Sequence, residues 1–178
     1  MSFAAIENRY DRTITVNGVA KAFAMTGWRL GYLGAPEWIA KACTKLQGQV
    51  TSGTNSIAQR ATIAALDSPV SRIQFMVDEF HKRRDLVIDL LRKIDGIKVN
   101  VPKGAFYVFP DVSYYFNKTI KGKNIKNASD FSMFLLEEAN VATVAGDSFG
   151  APECIRISYA ASQQNLIEAI SRIAKALK

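Results

Sequence analysis

The stretch Asn17-Gly-Val-Ala-Lys-Ala-Phe-Ala-Met-Thr-Gly-Trp-Arg-Leu-Gly-Tyr32 decides how this chain is read. Between Thr13 and Trp28, Lys21 is the one side chain charged at neutral pH, and small or apolar residues stand on both sides of it. Such a lysine is expected to be partly buried. Burial disfavours the ammonium form, lowers the pKa and frees the amine as a nucleophile toward an aldehyde. The competing reading is an ordinary surface lysine between a strand and a loop. Gly27 and Gly31 let the backbone turn or approach a ligand closely, and Arg29 offers a planar donor fork suited to phosphate. An aldehyde and a phosphate on one small molecule describe pyridoxal phosphate.

Outward from this stretch the chain alternates strands and helices. Residues 13–17 alternate and are β-branched, which predicts a strand leading into the lysine loop, with a second at 30–33. Pro36 stands at a favoured first-turn position, and Trp38, Ile39, Ala42 and Leu46 follow at helical spacing toward Gln47. After a polar connection at 48–55, Ile57, Ala58, Ala61, Ala64 and Ala65 define a second helix ending near Asp67. From 70 to 94 the apolar residues Ile73, Val77, Phe80, Val87, Leu90, Leu91 and Ile94 predict one long helix, stopped by Gly96. Its sole histidine, His81, lies among Asp78, Glu79, Lys82, Arg83 and Asp85 and reads as solvated rather than catalytic. Strands are then expected at 97–101, 105–109, 141–144 and 154–159, and helices at 128–140 and 161–177, with Ser129 and Ser162 as caps. In the last helix Leu166, Ile167, Ile170, Ile173 and Leu177 form an apolar stripe, and Lys175 and Lys178 suit the negative end of its dipole. The order of elements predicts an α/β sandwich, with a division between residues 1–69 and 70–178 at the start of the long helix.

A chain of 178 residues with 48% hydrophobic and 10% aromatic residues can form a packed core. Cys43 and Cys154 supply neither a disulfide framework nor metal-ligand spacing, and one histidine cannot support a histidine-rich site, so no metal is expected. This cysteine usage suits a reducing cytoplasm. No targeting signal and no run of membrane-spanning length is read from the sequence. The formal charge of +7 raises nucleic acid as a partner, but the most basic segment, 117–126, contains no aromatic residue to stack on a base. Lysines in such a Gly/Asn-rich segment belong to a solvated turn, and nucleic acid is not expected. A basic surface does suit dicarboxylate substrates and a phosphorylated cofactor.

Near the C-terminus, Cys154-Ile-Arg-Ile-Ser-Tyr-Ala160 reads as a strand with Cys154, Arg156 and Ser158 on one face. A guanidinium amid apolar neighbours keeps its charge and needs an anion. From the strand alone that anion is either a structural Asp or Glu partner or a ligand.

Taken together, these residues resemble the class I aminotransferases of fold type I. Gly18, Val19, Ala20, Lys21, Ala24, Met25, Gly27, Arg29, Leu30 and Gly31 meet every fixed position of that family's lysine signature, Ala20 standing where serine is commoner. Arg156 matches the arginine of the family's Ile-Arg-Ile/Leu-Ser strand. Lys103-Gly-Ala-Phe-Tyr-Val-Phe-Pro110 matches its Gly-Ala-Phe-Tyr strand, where Tyr107 and Phe109 read as core. Val141-Ala-Thr-Val-Ala-Gly-Asp-Ser-Phe-Gly150 matches its Val-Ala-x-x-Pro-Gly-x-x-Phe-Gly segment, with Ala145 in place of proline, and Thr51-Ser-Gly-Thr-Asn-Ser-Ile-Ala-Gln59 resembles the connection before its alanine-rich helix.

The resemblance implies an aspartate aminotransferase-like enzyme. Residues 1–69 would be the end of the cofactor-binding large domain, and 70–178 the long connecting helix and small α/β domain. It implies pyridoxal 5'-phosphate bound covalently at Lys21, its phosphate held by Arg29, and the α-carboxylate of an amino-acid substrate held by Arg156. The amino group would pass to a 2-oxo acid in ping-pong fashion, in a homodimer. Absent from this sequence are the family's phosphate loop, the aromatic residue on the cofactor ring, the asparagine at its hydroxyl, the aspartate at its pyridine nitrogen and the tyrosine that follows. The sequence is therefore expected to represent a C-terminal portion that lacks an N-terminal half. Three readings stand at this point: an aspartate-type aminotransferase, a relative specific for an aromatic amino acid or alanine, and a catalytically inactive fragment acting as an assembly module.

Overall fold

The computed structural model describes residues 3–178. They form two compact units, one ending at Phe75 and the other spanning Met76–Lys178.

In the first unit β1 (Thr15–Gly18) and β2 (Gly31–Gly34) pair antiparallel, from Thr15 opposite Gly34 to Gly18 opposite Gly31. The segment between them is therefore a loop tied at its base. Two glycines make that base possible, because a β-carbon on Gly18 would stand 3.3 Å from the Leu30 carbonyl and one on Gly31 3.3 Å from that of Asn17. Gly31 thus serves strand approach. Helix α1 (Glu37–Val50) begins directly after Pro36 and continues through Gly48, which the sequence had assigned to a connection. Helix α2 (Ser56–Asp67) is capped by the Asn55 carboxamide, which accepts from the amides of Ile57 and Ala58 at 2.9 and 3.1 Å.

This unit buries little. Val19, Ala58 and Thr62 are its buried side chains among the described residues, and α1 has none. Of the predicted apolar stripe of α1, Ile39 is half-buried, whereas Trp38 is 72% and Leu46 66% exposed.

The expected helix over 70–94 is broken. After the extended Pro69, residues Val70–Arg72 form a 3-10 turn, and α3 runs Gln74–Leu91. At its far end Lys93 and Ile94 donate to Leu90 and Leu91, a tightening to i+3 bonds that ends the helix before Gly96. His81 is exposed, as its charged neighbours implied.

The second unit continues with β3 (Tyr107–Val108), β4 (Lys118–Ile120), β5 (Lys123–Ile125), α4 (Ala128–Ala139), β6 (Val144–Ala145), β7 (Ile155–Ser158) and α5 (Gln163–Ala176). One sheet has the order β3-β7-β6, antiparallel throughout, and β4-β5 form a separate hairpin. Leu91, Val108, Phe131, Leu135, Ile155 and Ile173 are all buried in one cluster to which α3, α4, α5 and the sheet contribute.

Several expectations are corrected here. The strand at 97–101 reduces to a bridge in which Lys98 and Asp111 exchange backbone hydrogen bonds at 3.1 and 2.9 Å. The basic segment is a hairpin rather than a solvated turn: Lys121 and Gly122 both take positive φ, as a tight hairpin turn requires. Lys123 meets Glu138 at 2.7 Å and Glu137 at 2.5 Å. Asn127, not Ser129, caps α4 by accepting from the Asp130 amide at 2.9 Å, while the Asp130 carboxylate accepts from the Lys126 amide at 3.0 Å. Ser162 caps α5 as expected, accepting from Asn165 at 3.2 Å. Ile167 leaves the stripe of α5 and is exposed, and Ala176 is buried instead.

Candidate active site

Lys21 stands in a turn closed by the Phe23 amide donating to the Val19 carbonyl and the Ala24 amide to that of Lys21, each at 3.2 Å. Its side chain is exposed, which corrects the expected partial burial. Apolar neighbours in sequence shield a side chain only when something packs over them, and in this loop Val19 alone is fully buried.

Arg29 follows the 3-10 turn Thr26–Trp28 in the left-handed conformation, φ 51° and ψ 52°. Its Nη1 donates to the Thr26 carbonyl at 2.9 Å, and it makes no ion pair with another described residue. It lines a recess of about 710 Å³ together with Gly27, Thr51, Gly53, Thr54 and Asn55. The fold thus joins the arginine of the lysine loop to the 51–59 segment. A β-carbon on Gly27 would touch nothing within 4 Å, so the recess is open on that side. A guanidinium without a described carboxylate partner, in a recess also lined by two threonines and two glycines, fits a phosphate group.

Arg156 lies in the second unit on β7, opposite Val144 of β6 and half-buried. Its Cζ lies over the Tyr107 ring, 4.5 Å from the centroid, and over the Phe149 ring at 4.6 Å. The structural ion pair left open by the strand alone does not form among the described residues. Tyr107 pairs with Ser158, which places it diagonally to Arg156 on the same face of the sheet. Phe149 ends the 3-10 turn Gly146–Phe149 that follows β6. Reading Tyr107 as core alone missed this contact, which depends on the register of two strands far apart in sequence. Nearby, burial pushes the Cys154 thiol up, reinforced by the charges of Glu153 and Asp111, which disfavours a reactive thiolate.

The family model for aminotransferase class I and II matches residues 2–173. This chain belongs to the class I and II aminotransferases. It is 47% identical over 180 residues to the bifunctional aspartate aminotransferase and glutamate/aspartate-prephenate aminotransferase of Petunia hybrida, covering 99% of this chain and 38% of that protein. It superposes on the crystal structure of the Rhizobium meliloti aspartate aminotransferase with a TM-score of 0.91 and 47% identity, covering 94% of this chain and 42% of the other. An aromatic aminotransferase from Pyrococcus horikoshii OT3 is similar at a TM-score of 0.87 and 38% identity, covering 99% of this chain and 46% of the other. The fold is that of the fold-type I aminotransferases, and this chain spans less than half the length of the relatives it matches. Among the described residues no three His, Cys, Asp or Glu side chains gather as a metal-binding group, and no helix is long and apolar enough to cross a membrane.

Proposed function

We propose that this aminotransferase chain carries the cofactor lysine, the phosphate-binding arginine and a substrate-binding arginine of a pyridoxal-phosphate enzyme that moves an amino group between an L-amino acid and a 2-oxo acid. The observation that carries the reading is the loop between β1 and β2, which bears Lys21 and, in the recess, an Arg29 that no described carboxylate neutralises. When bound, the cofactor supplies an aldehyde and an electron-withdrawing ring that makes the substrate Cα–H acidic. Lys21 Nζ is the atom that would bond to the aldehyde and, once released by the incoming amino group, carry the proton away from Cα. Arg29 would hold the phosphate and Arg156 the substrate α-carboxylate. Aspartate is the proposed amino donor, supported by the relatives named as aspartate aminotransferases. The Pyrococcus horikoshii relative supports aromatic amino acids as the second choice. A homodimer is the proposed assembly, and the two free cysteines suit the cytoplasm.

For the 178-residue polypeptide by itself the burial pattern favours a second reading, that of a structural module with little or no transaminase activity. The open faces of α1 and α2, including Trp38, Leu46, Val50 and Ile57, suit association with a polypeptide carrying the N-terminal half of the family fold.

The test is a pyridoxal phosphate titration of this chain and its Lys21→Ala variant, followed by absorbance, borohydride trapping and peptide mapping. Saturable labelling confined to Lys21 is expected. Weak labelling spread over many lysines and unchanged in the variant would overturn the assignment of Lys21 in this chain. Normal turnover of aspartate and 2-oxoglutarate by the chain alone would overturn the module reading. Failure to co-elute with a co-expressed N-terminal half, with no gain of activity, would overturn the proposed association.

A further inference from the structure

Arg156 combines three observations. It is half-buried, it has no hydrogen bond or carboxylate partner among the described residues, and two aromatic rings lie against its guanidinium carbon at 4.5 and 4.6 Å. Each ring arrives from a different element and is braced there by another aromatic. Tyr107 comes from β3 through its register opposite Ser158 and contacts Phe106 at 4.4 Å between centroids. Phe149 comes from the turn after β6 and meets Phe109 edge-on at 6.0 Å and 89°. Phe149 keeps 49% of its surface exposed, so burial explains only part of its placement. Asp147, an acid in the same turn, is engaged by the Ser129 hydroxyl at 3.3 Å rather than by Arg156.

We propose that Tyr107 and Phe149 are positioning residues for Arg156. Their rings hold the guanidinium in place before an anion arrives. This rests on the reading of Arg156 as the carboxylate-binding arginine, and adds the side chains that make that arginine rigid. The N–H donors of a guanidinium lie in its plane, and an aromatic ring against its face restrains the group without using any of them. An arginine whose motion is already restricted loses less conformational freedom when a carboxylate binds, so the rings raise affinity without touching the ligand.

The experiment uses the full 178-residue chain labelled with 15N at arginine, the Arg156 Nε resonance being assigned by its loss in Arg156→Lys. Two quantities are read: the order parameter of that Nε in the free chain, and its shift on titration with sodium succinate. The variants are Tyr107→Leu and Phe149→Leu, with Tyr107→Phe and Phe149→Tyr as the versions that keep a ring, and the amide spectrum of the second unit verifies the fold of each. In the parent and both ring-keeping variants the order parameter is expected above about 0.6, falling below about 0.6 in the leucine variants. The apparent Kd for succinate is expected to rise about fivefold in each leucine variant, the size of an exposed cation–π contact. An Arg156 Nε as mobile in the parent as that of the exposed Arg92, or unchanged in the leucine variants, overturns the positioning role. A rigid Arg156 that succinate does not shift overturns instead the carboxylate reading on which the role rests.

Discussion

The amide of Gly146 donates to the Cys154 carbonyl at 2.8 Å, and a β-carbon on Gly146 would stand 2.6 Å from that same oxygen and 2.1 Å from the carbonyl of Ala151. Both obstacles are backbone, so neither can rotate away. The turn that ends at Phe149 starts at this glycine. Gly146→Ala is therefore expected to destabilise the second unit by about 1–3 kcal/mol, the usual cost of overpacking. Urea unfolding checks the stability, and loss of the Phe149 ring-current shift at Arg156 checks the local displacement.

Burial separates two large aromatics that the sequence alone does not distinguish. Phe131 is fully buried and stacks on Tyr115 at 5.2 Å, whereas Trp38 is 72% exposed on α1. Phe131→Ala should cost about 3–5 kcal/mol, and Trp38→Ala should stay within about 0.5 kcal/mol. Urea midpoints measured side by side would contradict the assignment if the two variants shifted equally.

The two units differ in how much they bury, and backbone exchange should follow. Helices α4 and α5 each present four or more buried side chains, whereas α1 has none and α2 has Ala58 and Thr62. Amides of α1 and α2 in this chain are expected to exchange with deuterium well before those of α4 and α5. Equal protection of all four helices would show that the first unit is stabilised by contacts other than those described.

Tyr115 and Tyr159 should titrate late. Burial pushes Tyr115 up to about 12, aided by Tyr114 and Asp95, and its hydroxyl donates to the Asp95 carbonyl. Burial also raises Tyr159, whose hydroxyl donates to the Ala105 carbonyl at 3.0 Å. A phenol raised above its unfolded value of about 10 adds stability that is complete below that pH and is lost as pH climbs toward 12. In an alkaline absorbance titration the late phase should shrink in Tyr115→Phe, with the contribution of Tyr159 remaining. A late phase of unchanged amplitude would refute this.

Much of the organisation was legible locally. Residues 13–17 and 30–33 announced the strands that became β1 and β2, and the spacing in 161–177 announced α5 together with its Ser162 cap. These are short-range properties, set by side-chain periodicity, glycine tolerance and capping chemistry within a few residues of each other. The errors fell where a distant residue decided the outcome. Lys123 is drawn to Glu137 and Glu138 on α4, so the basic segment is an anchored hairpin. The cap of α4 is a local exception: Asn127, three residues before Asp130, accepts from its amide, and Ser129 lies already inside the helix.

The sequence by itself determined the family and singled out the lysine loop and two arginines as candidates for anions, because residue identity and spacing within short segments carry that information. Only the tertiary structure decided that Lys21 is exposed, that Arg29 shares a recess with residues 51–55, and that Arg156 rests on Tyr107 and Phe149 rather than on a carboxylate. Burial and the choice of partner depend on strand register and on what packs from elsewhere in the chain, and neither is a property of neighbouring residues.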